Sequence, residues 1–140
     1  MLFPMTAQIS DSVHFEEQDY AITGVSGDGL FSPQAHGLEP QMMSTACWRG
    51  FVCWYRVEND QLQLQNLWIR LEHTVENKSE KDPALFGIRP KFEEREWCAN
   101  YENLHVPIAF TGGLLIGRDF IRELYVHMGF HPAWKFREVY

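Results

Sequence analysis

The stretch TACWRGFVCWYRVENDQLQLQNLWIRLE, residues 45 to 72, decides the fold. It reads as a β-hairpin that turns at Asn59-Asp60, two residue types that tolerate positive φ in a tight turn. On the outgoing strand Cys47, Phe51, Cys53, Tyr55 and Val57 share one face, because strand side chains alternate. The returning strand starts in the opposite phase, with Leu62 and Leu64 even-numbered and Leu67, Ile69 and Leu71 odd. A slip of one residue would turn half of these leucines to the wrong side unless an extra residue is absorbed. A β-bulge at Gln65 or Asn66 is therefore predicted, and it restores a single apolar face.

The same register places Trp48, Gly50, Val52, Trp54 and Arg56 on the opposite face, joined by Gln63, Trp68 and Arg70. The hairpin is then apolar on both sides. Either another layer covers the tryptophan side, as in a two-layer structure, or Trp48, Trp54 and Trp68, flanked by Arg56 and Arg70, form a binding surface. Arg49 falls on the leucine face beside Phe51 and across from Leu71, where an unpaired guanidinium is costly, so it needs a partner. The two candidates are an acidic residue from the 24 to 40 loop or the last strand, and an anionic ligand held within a barrel. Gly50 beside it suggests close approach of another backbone.

Outward from the hairpin, Gly24, Gly27, Gly29, Pro33, Gly37 and Pro40 suggest a long irregular connection after a short strand near 20 to 23. Residues 74 to 90 read as a polar loop, and 91 to 101 are ambiguous, the Trp97/Tyr101 spacing suiting a helix though no clean stripe develops. Leu104, Val106, Ile108, Phe110, Leu114 and Ile116 alternate, which favours a hairpin turned at Gly112-Gly113 over one long strand. Asp119 suits the N-cap of a helix over 119 to 128 that Gly129 ends, and residues 134 to 140 read as a final strand. The expected fold is a single α+β domain over 1 to 140. It is mainly antiparallel β, a strongly curved sheet or partly closed barrel with one short helix near the C-terminus.

The chain's 140 residues carry 12 Lys and Arg against 19 Asp and Glu, a formal net charge of −7, with 45% hydrophobic residues. That balance and a pI near 5.3 speak against nucleic acid, whose binding rests on clustered Lys and Arg, and against anionic membrane surfaces. No apolar run approaches the roughly 20 residues of a membrane span. The first residues have neither the basic nor the apolar region of a signal peptide, so a cytoplasmic location is the default. Cys47, Cys53 and Cys98 form no CxxC pair, and on one strand Cys47 and Cys53 would lie about 20 Å apart, beyond disulfide reach. Reduced thiols follow.

Motifs for chemistry are sparse. His127 and His131 have helical ligand spacing, but Gly129 and Pro132 end a helix between them and no HExxH glutamate is present, so no metal is expected. Residues 24 to 29, GVSGDG, lack the order of a phosphate-binding loop. Glu93, Glu94 and Glu96 interleave with Arg89, Lys91 and Arg95 as a solvated, self-neutralising face rather than a hydrolytic pair. No GxSxG elbow occurs, and cysteines set between aromatic and aliphatic residues are usually inert. No catalytic residue and no cofactor is expected.

Function is read from character. The leading expectation is a non-enzymatic binding protein for a protein partner, its acidity steering association and its aromatic face anchoring it. In acidity, size, aromatic content and lack of catalytic motifs the chain resembles the bacterial immunity proteins that neutralise toxins, a resemblance of character that no motif carries. The alternative is a small-ligand or carbohydrate binder in which Trp48, Trp54 and Trp68 stack on the ligand and Arg49, Arg56 or Arg70 orients a polar group. An enzyme assembled from sequence-distant residues is the third. A final strand exposing Phe136, Val139 and Tyr140 also suggests a homodimer.

Overall fold

A computed structural model of the chain describes residues 8–44, 46–121, 130 and 133–140. The central hairpin is as expected: β3 (Phe51–Glu58) pairs antiparallel with β4 (Gln61–Ile69) across Asn59-Asp60, whose φ values are 53° and 58°. Trp54 pairs with Asn66 and Tyr55 with Leu64, so Gln65 is the extra residue and the bulge lies where the leucine phase slips. Phe51, Cys53, Tyr55 and Val57 then stand opposite Ile69, Leu67, Leu64 and Leu62 on one apolar face.

Around this hairpin the remaining strands extend an open sheet. β1 (Ser12–Phe15) runs parallel to β3 and turns tightly into β2 (Gln18–Asp28), which pairs with β8 (Thr111–Phe120) and, through it, with β9 (Phe136–Val139). On the far side of β4 lie β6 (Cys98–Tyr101), β5 (Lys91–Glu93) and, beyond the bulge, the short β7 (Val106–Pro107). The order is β5-β6-β4-β3-β1-β2-β8-β9, mixed because β1 and β3 are parallel.

The expected closure is corrected: the sheet is open and not strongly curled, with β5 and β9 as separate ends. The physical reason is that loops, not curvature, cover the leucine face and one end of the tryptophan face. Phe31, Leu38 and Leu85 cap the leucine face, joining Leu64, Leu67, Ile69 and Tyr101 in the main core. On the other face Met43 and Cys47 pack on Val52 and Cys98, with Trp54 and Trp68 against them. Cys47 thus belongs to the opposite face from the one its parity implies, because the chain turns at residues 46 to 50 and β3 begins only at Phe51. Gly50, at φ 82°, marks the close approach expected of it: a Cβ there would collide with the Gln41 carbonyl oxygen.

Other expectations change for local reasons. Gly24 and Gly27 lie inside β2, not in a loop, and Gly112-Gly113 lie inside β8, not at a turn. Gly27 and Gly112 face each other across the ladder so closely that a Cβ on Gly112 would strike the Ser26 carbonyl. These glycines permit close strand approach rather than reversal. Residues 91 to 101 form the β5–β6 hairpin, with Trp97 at φ 52° in its turn. Of the helix expected over 119 to 128, Asp119 and Phe120 instead end β8, and residues 122 to 129 lie outside the described ones. Among the described residues the α-helix is α1 (Glu72–Val75), a single turn in mid-chain. No helix among the described residues is long and apolar enough to cross a membrane.

Candidate functional site

Arg49, the charge that required a partner, finds it in Asp11, just ahead of β1. Its guanidinium donates to the Asp11 carboxylate and, through Nε at 2.9 Å, to the Phe51 carbonyl, while lying over the Phe51 ring. Asp11 also accepts the Cys53 amide at 2.8 Å. Burial nonetheless pushes its carboxyl above the ordinary value, against the pull of Arg49. The acid therefore comes from neither the 24 to 40 loop nor the last strand. Arg70 is similarly occupied, donating to the backbone carbonyls of Trp97 (2.9 Å), Met42 (3.2 Å) and Glu96 (2.6 Å). Both arginines tie loops to the sheet. Trp48 stands in the turn before β3 and donates its amide to Gln8 Oε1 at 2.9 Å.

Three of the six expected residues, Trp54, Trp68 and Arg56, share the face opposite the leucines. Register explains the arrangement. Ser12 and His14 of β1 sit beside Trp54 and Arg56 of β3, and His14 lies opposite Asp19 of β2. Across β4 the same face carries Gln63, Asn66 and Trp68, followed by Asn100 of β6. The Trp54 and Trp68 rings meet edge to face, centroids 5.2 Å apart and planes 62° from parallel. Both are partly buried, so Met43 and Cys47 cover this face only at one end.

Where the cover stops, a pocket of about 220 Å³ opens beside the bulge, walled by Ser12, His14, Asp19, Trp54, Arg56, Gln65 and Asn66. The bulge creates it, since the extra residue adds Gln65 to the wall next to Asn66. Gln65 Oε1 is buried with no hydrogen-bond partner among the described residues. His14 Nδ1 lies 2.7 Å from Asp19 Oδ1, and an ionised Asp19 can only accept, so the ring donates its Nδ1 proton. Arg56 Nε is 3.6 Å from Glu58. Asn66 accepts the Asn103 amide through its side-chain oxygen at 3.2 Å.

Topology adds a rim. Because β1 and β3 are parallel, the β1–β2 turn and the β3–β4 turn project at the same end of the sheet. That end carries exposed Glu16, Glu17, Asp19, Glu58 and Asp60, with Arg56 as the nearby cation on this face. Of the pocket residues, Trp54 and Arg56 were legible in the sequence as site candidates. Ser12, His14, Asp19, Gln65 and Asn66 were not. The alternation of Val13 and Phe15 with Ser12 and His14, followed by Tyr20 and Ile22 after Glu16-Glu17, is the hairpin signal that would have found the first three.

The three cysteines are free and buried, and burial pushes the Cys98 thiol up to about 12 and the Cys53 thiol still higher, so neither is a nucleophile near neutral pH. No group of three or more His, Cys, Asp or Glu with metal-binding geometry occurs among the described residues, and His127 and His131 lie outside them. Compared with protein-family models, with curated proteins and with solved structures, the chain matches none.

Proposed function

We propose that the protein is a non-enzymatic binding module that takes a basic protein partner on the Trp54–Trp68 face. The observation that supports this reading most is the partly covered aromatic pair bordered by an acidic rim of five exposed carboxylates. Interfaces are anchored by a few aromatic side chains at their centre and steered by complementary charge at their edge. A net charge of −7 favours a cationic partner over the whole surface as well.

A second reading, a small-ligand or carbohydrate site, rests on the mixture of hydroxyl, amide and charged groups around the pocket, which suits hydroxyl recognition. At about 220 Å³ the pocket falls below the roughly 300 to 1,000 Å³ of drug-sized sites, so it holds one ring or one side chain. This favours a partner inserting a side chain over a freely diffusing ligand of useful affinity.

The test is photo-cross-linking in the source cell from positions 61 and 91, which edge this face, and from position 86 on the side where Phe31 and Leu85 cover the core. One basic protein captured from 61 and 91 but not from 86 is expected. Its purified form should bind the wild-type chain in a salt-weakened manner and lose at least about tenfold affinity to Trp54→Ala or Trp68→Ala. Equal capture from all three positions, or binding indifferent to both substitutions, would overturn the proposal.

A further inference from the structure

We infer that the bulge pocket is a receptor for an arginine side chain of the partner, an inference that rests on the protein-docking reading above and names the group that enters. Three features of the pocket set the chemistry. First, Gln65 lines the pocket and its Oε1 is a buried acceptor with no partner among the described residues, so a donor entering beside it would meet an unmet need. Second, Trp54 lines the pocket, and an indole attracts a flat, weakly hydrated cation to its face. Third, the mouth carries Asp19, 82% exposed, whose Oδ1 meets His14, with Glu16, Glu17 and Asp60 around the same end of the sheet.

A guanidinium meets all three at once. Its five N–H donors in a planar fork can reach an amide oxygen and a carboxylate together while the plane lies on the indole. A lysine ammonium supplies the charge but neither the flat surface nor the fork. A carboxylate or phosphate would face the unmet acceptor and the acidic rim, and is disfavoured on charge even with Arg56 on the wall. Arg56 does not oppose the cation strongly, because Glu58 on the same strand lies 3.6 Å from its Nε. The pocket's volume, about 220 Å³, matches one side-chain head and not a peptide.

The experiment uses the intact chain, ¹⁵N-labelled, with the Trp54 indole N–H signal assigned through Trp54→Phe. N-acetyl-arginine amide, N-acetyl-lysine amide and methyl glucoside are titrated in turn. The arginine compound is expected to shift the Trp54 signal and the Gln65 side-chain amide signals at millimolar concentration. The lysine compound should bind about tenfold more weakly and methyl glucoside should leave the signals in place. Gln65→Leu should abolish the arginine response, and Gln65→Glu, which strengthens the acceptor, should tighten it about fivefold, so the pair gives opposite signs even where one variant is destabilised. Equal response to lysine and arginine would reduce the site to a plain acidic patch and overturn the inference, as would a shift by methyl glucoside alone. Cross-linking that still selects positions 61 and 91 while N-acetyl-arginine amide has no effect would overturn this inference and leave the docking reading standing.

Discussion

Deleting Gln65 tests whether the bulge serves the fold or the pocket. Without it, β4 reads Leu62, Gln63, Leu64, Asn66, Leu67, Trp68, Ile69, a strict alternation that keeps every core residue facing Cys53, Tyr55 and Val57. The deletion removes a buried unpartnered oxygen, a relief of about 1 to 3 kcal/mol. It also removes the Gln65 carbonyl that accepts the Leu104 amide at 2.9 Å, and leaving that buried donor unmet costs about 1 to 3 kcal/mol. The two nearly cancel, so the variant should lie within about 2 kcal/mol of the parent. Deleting Gln63 is the control. With Leu64 still opposite Tyr55, Leu62 would move to the tryptophan face and the Asn59-Asp60 turn would lose a residue. Exposing the leucine alone costs about 1.5 to 3 kcal/mol, and the broken turn adds to that. Urea unfolding followed by tryptophan fluorescence, at a common m-value, measures both. A Gln65 deletion that costs more than about 3 kcal/mol, or as much as the Gln63 deletion, would refute the view that the strand folds without its extra residue.

Four further outcomes follow from the same geometry. Asp11→Ala should destabilise by about 2 kcal/mol, because it leaves Arg49 and the Cys53 amide unmet, and Asp11→Asn should cost less by keeping an acceptor; chemical denaturation that ranks them the other way contradicts this. Thr74→Val should cost about 1 to 3 kcal/mol near neutral pH, since Thr74 donates to the fully buried Asp82 at 2.8 Å and the other Asp82 oxygen has no partner among the described residues. Gly112→Ala should split β2 from β8 locally, read as faster amide exchange at residues 24 to 28 with β3 and β4 still protected. Stability should fall as pH rises above 9. An unfolded thiol loses its proton there while native Cys98 keeps its own up to about 12, so the unfolded state binds fewer protons and each such thiol costs about 1.4 kcal/mol per pH unit in that window. Under reducing conditions Cys98→Val should flatten that slope, and an unchanged urea midpoint between pH 8 and 10.5 would contradict the burial of the thiols.

How much was legible depends on the range of the interaction. The β3–β4 hairpin, its turn and its bulge could be read from residues 45 to 72, because alternation and positive-φ preference act between neighbours. The bulge followed from Leu64 and Leu67 lying three apart when one face demanded an even number. Gly50's close approach was legible for the same local reason, though not the identity of the Gln41 backbone that approaches it. Glycine signals elsewhere were ambiguous: Gly27 and Gly112 looked like turns, yet they serve a ladder in which two backbones nearly touch.

The sequence by itself therefore determined a two-faced hairpin with a displaced residue, and an acidic surface that disfavours polyanions. Only the tertiary structure decided that loops cover the leucine face and one end of the tryptophan face, so that the sheet stays open. It also decided that Asp11 meets Arg49 from 38 positions away, and that the parallel pairing of β1 with β3 brings His14, Asp19, Trp54, Arg56 and Gln65 around one pocket. Parallel pairing joins strands far apart in the chain and imposes no pattern on either beyond its own alternation, so the partner of each strand is fixed by the packing of the whole domain.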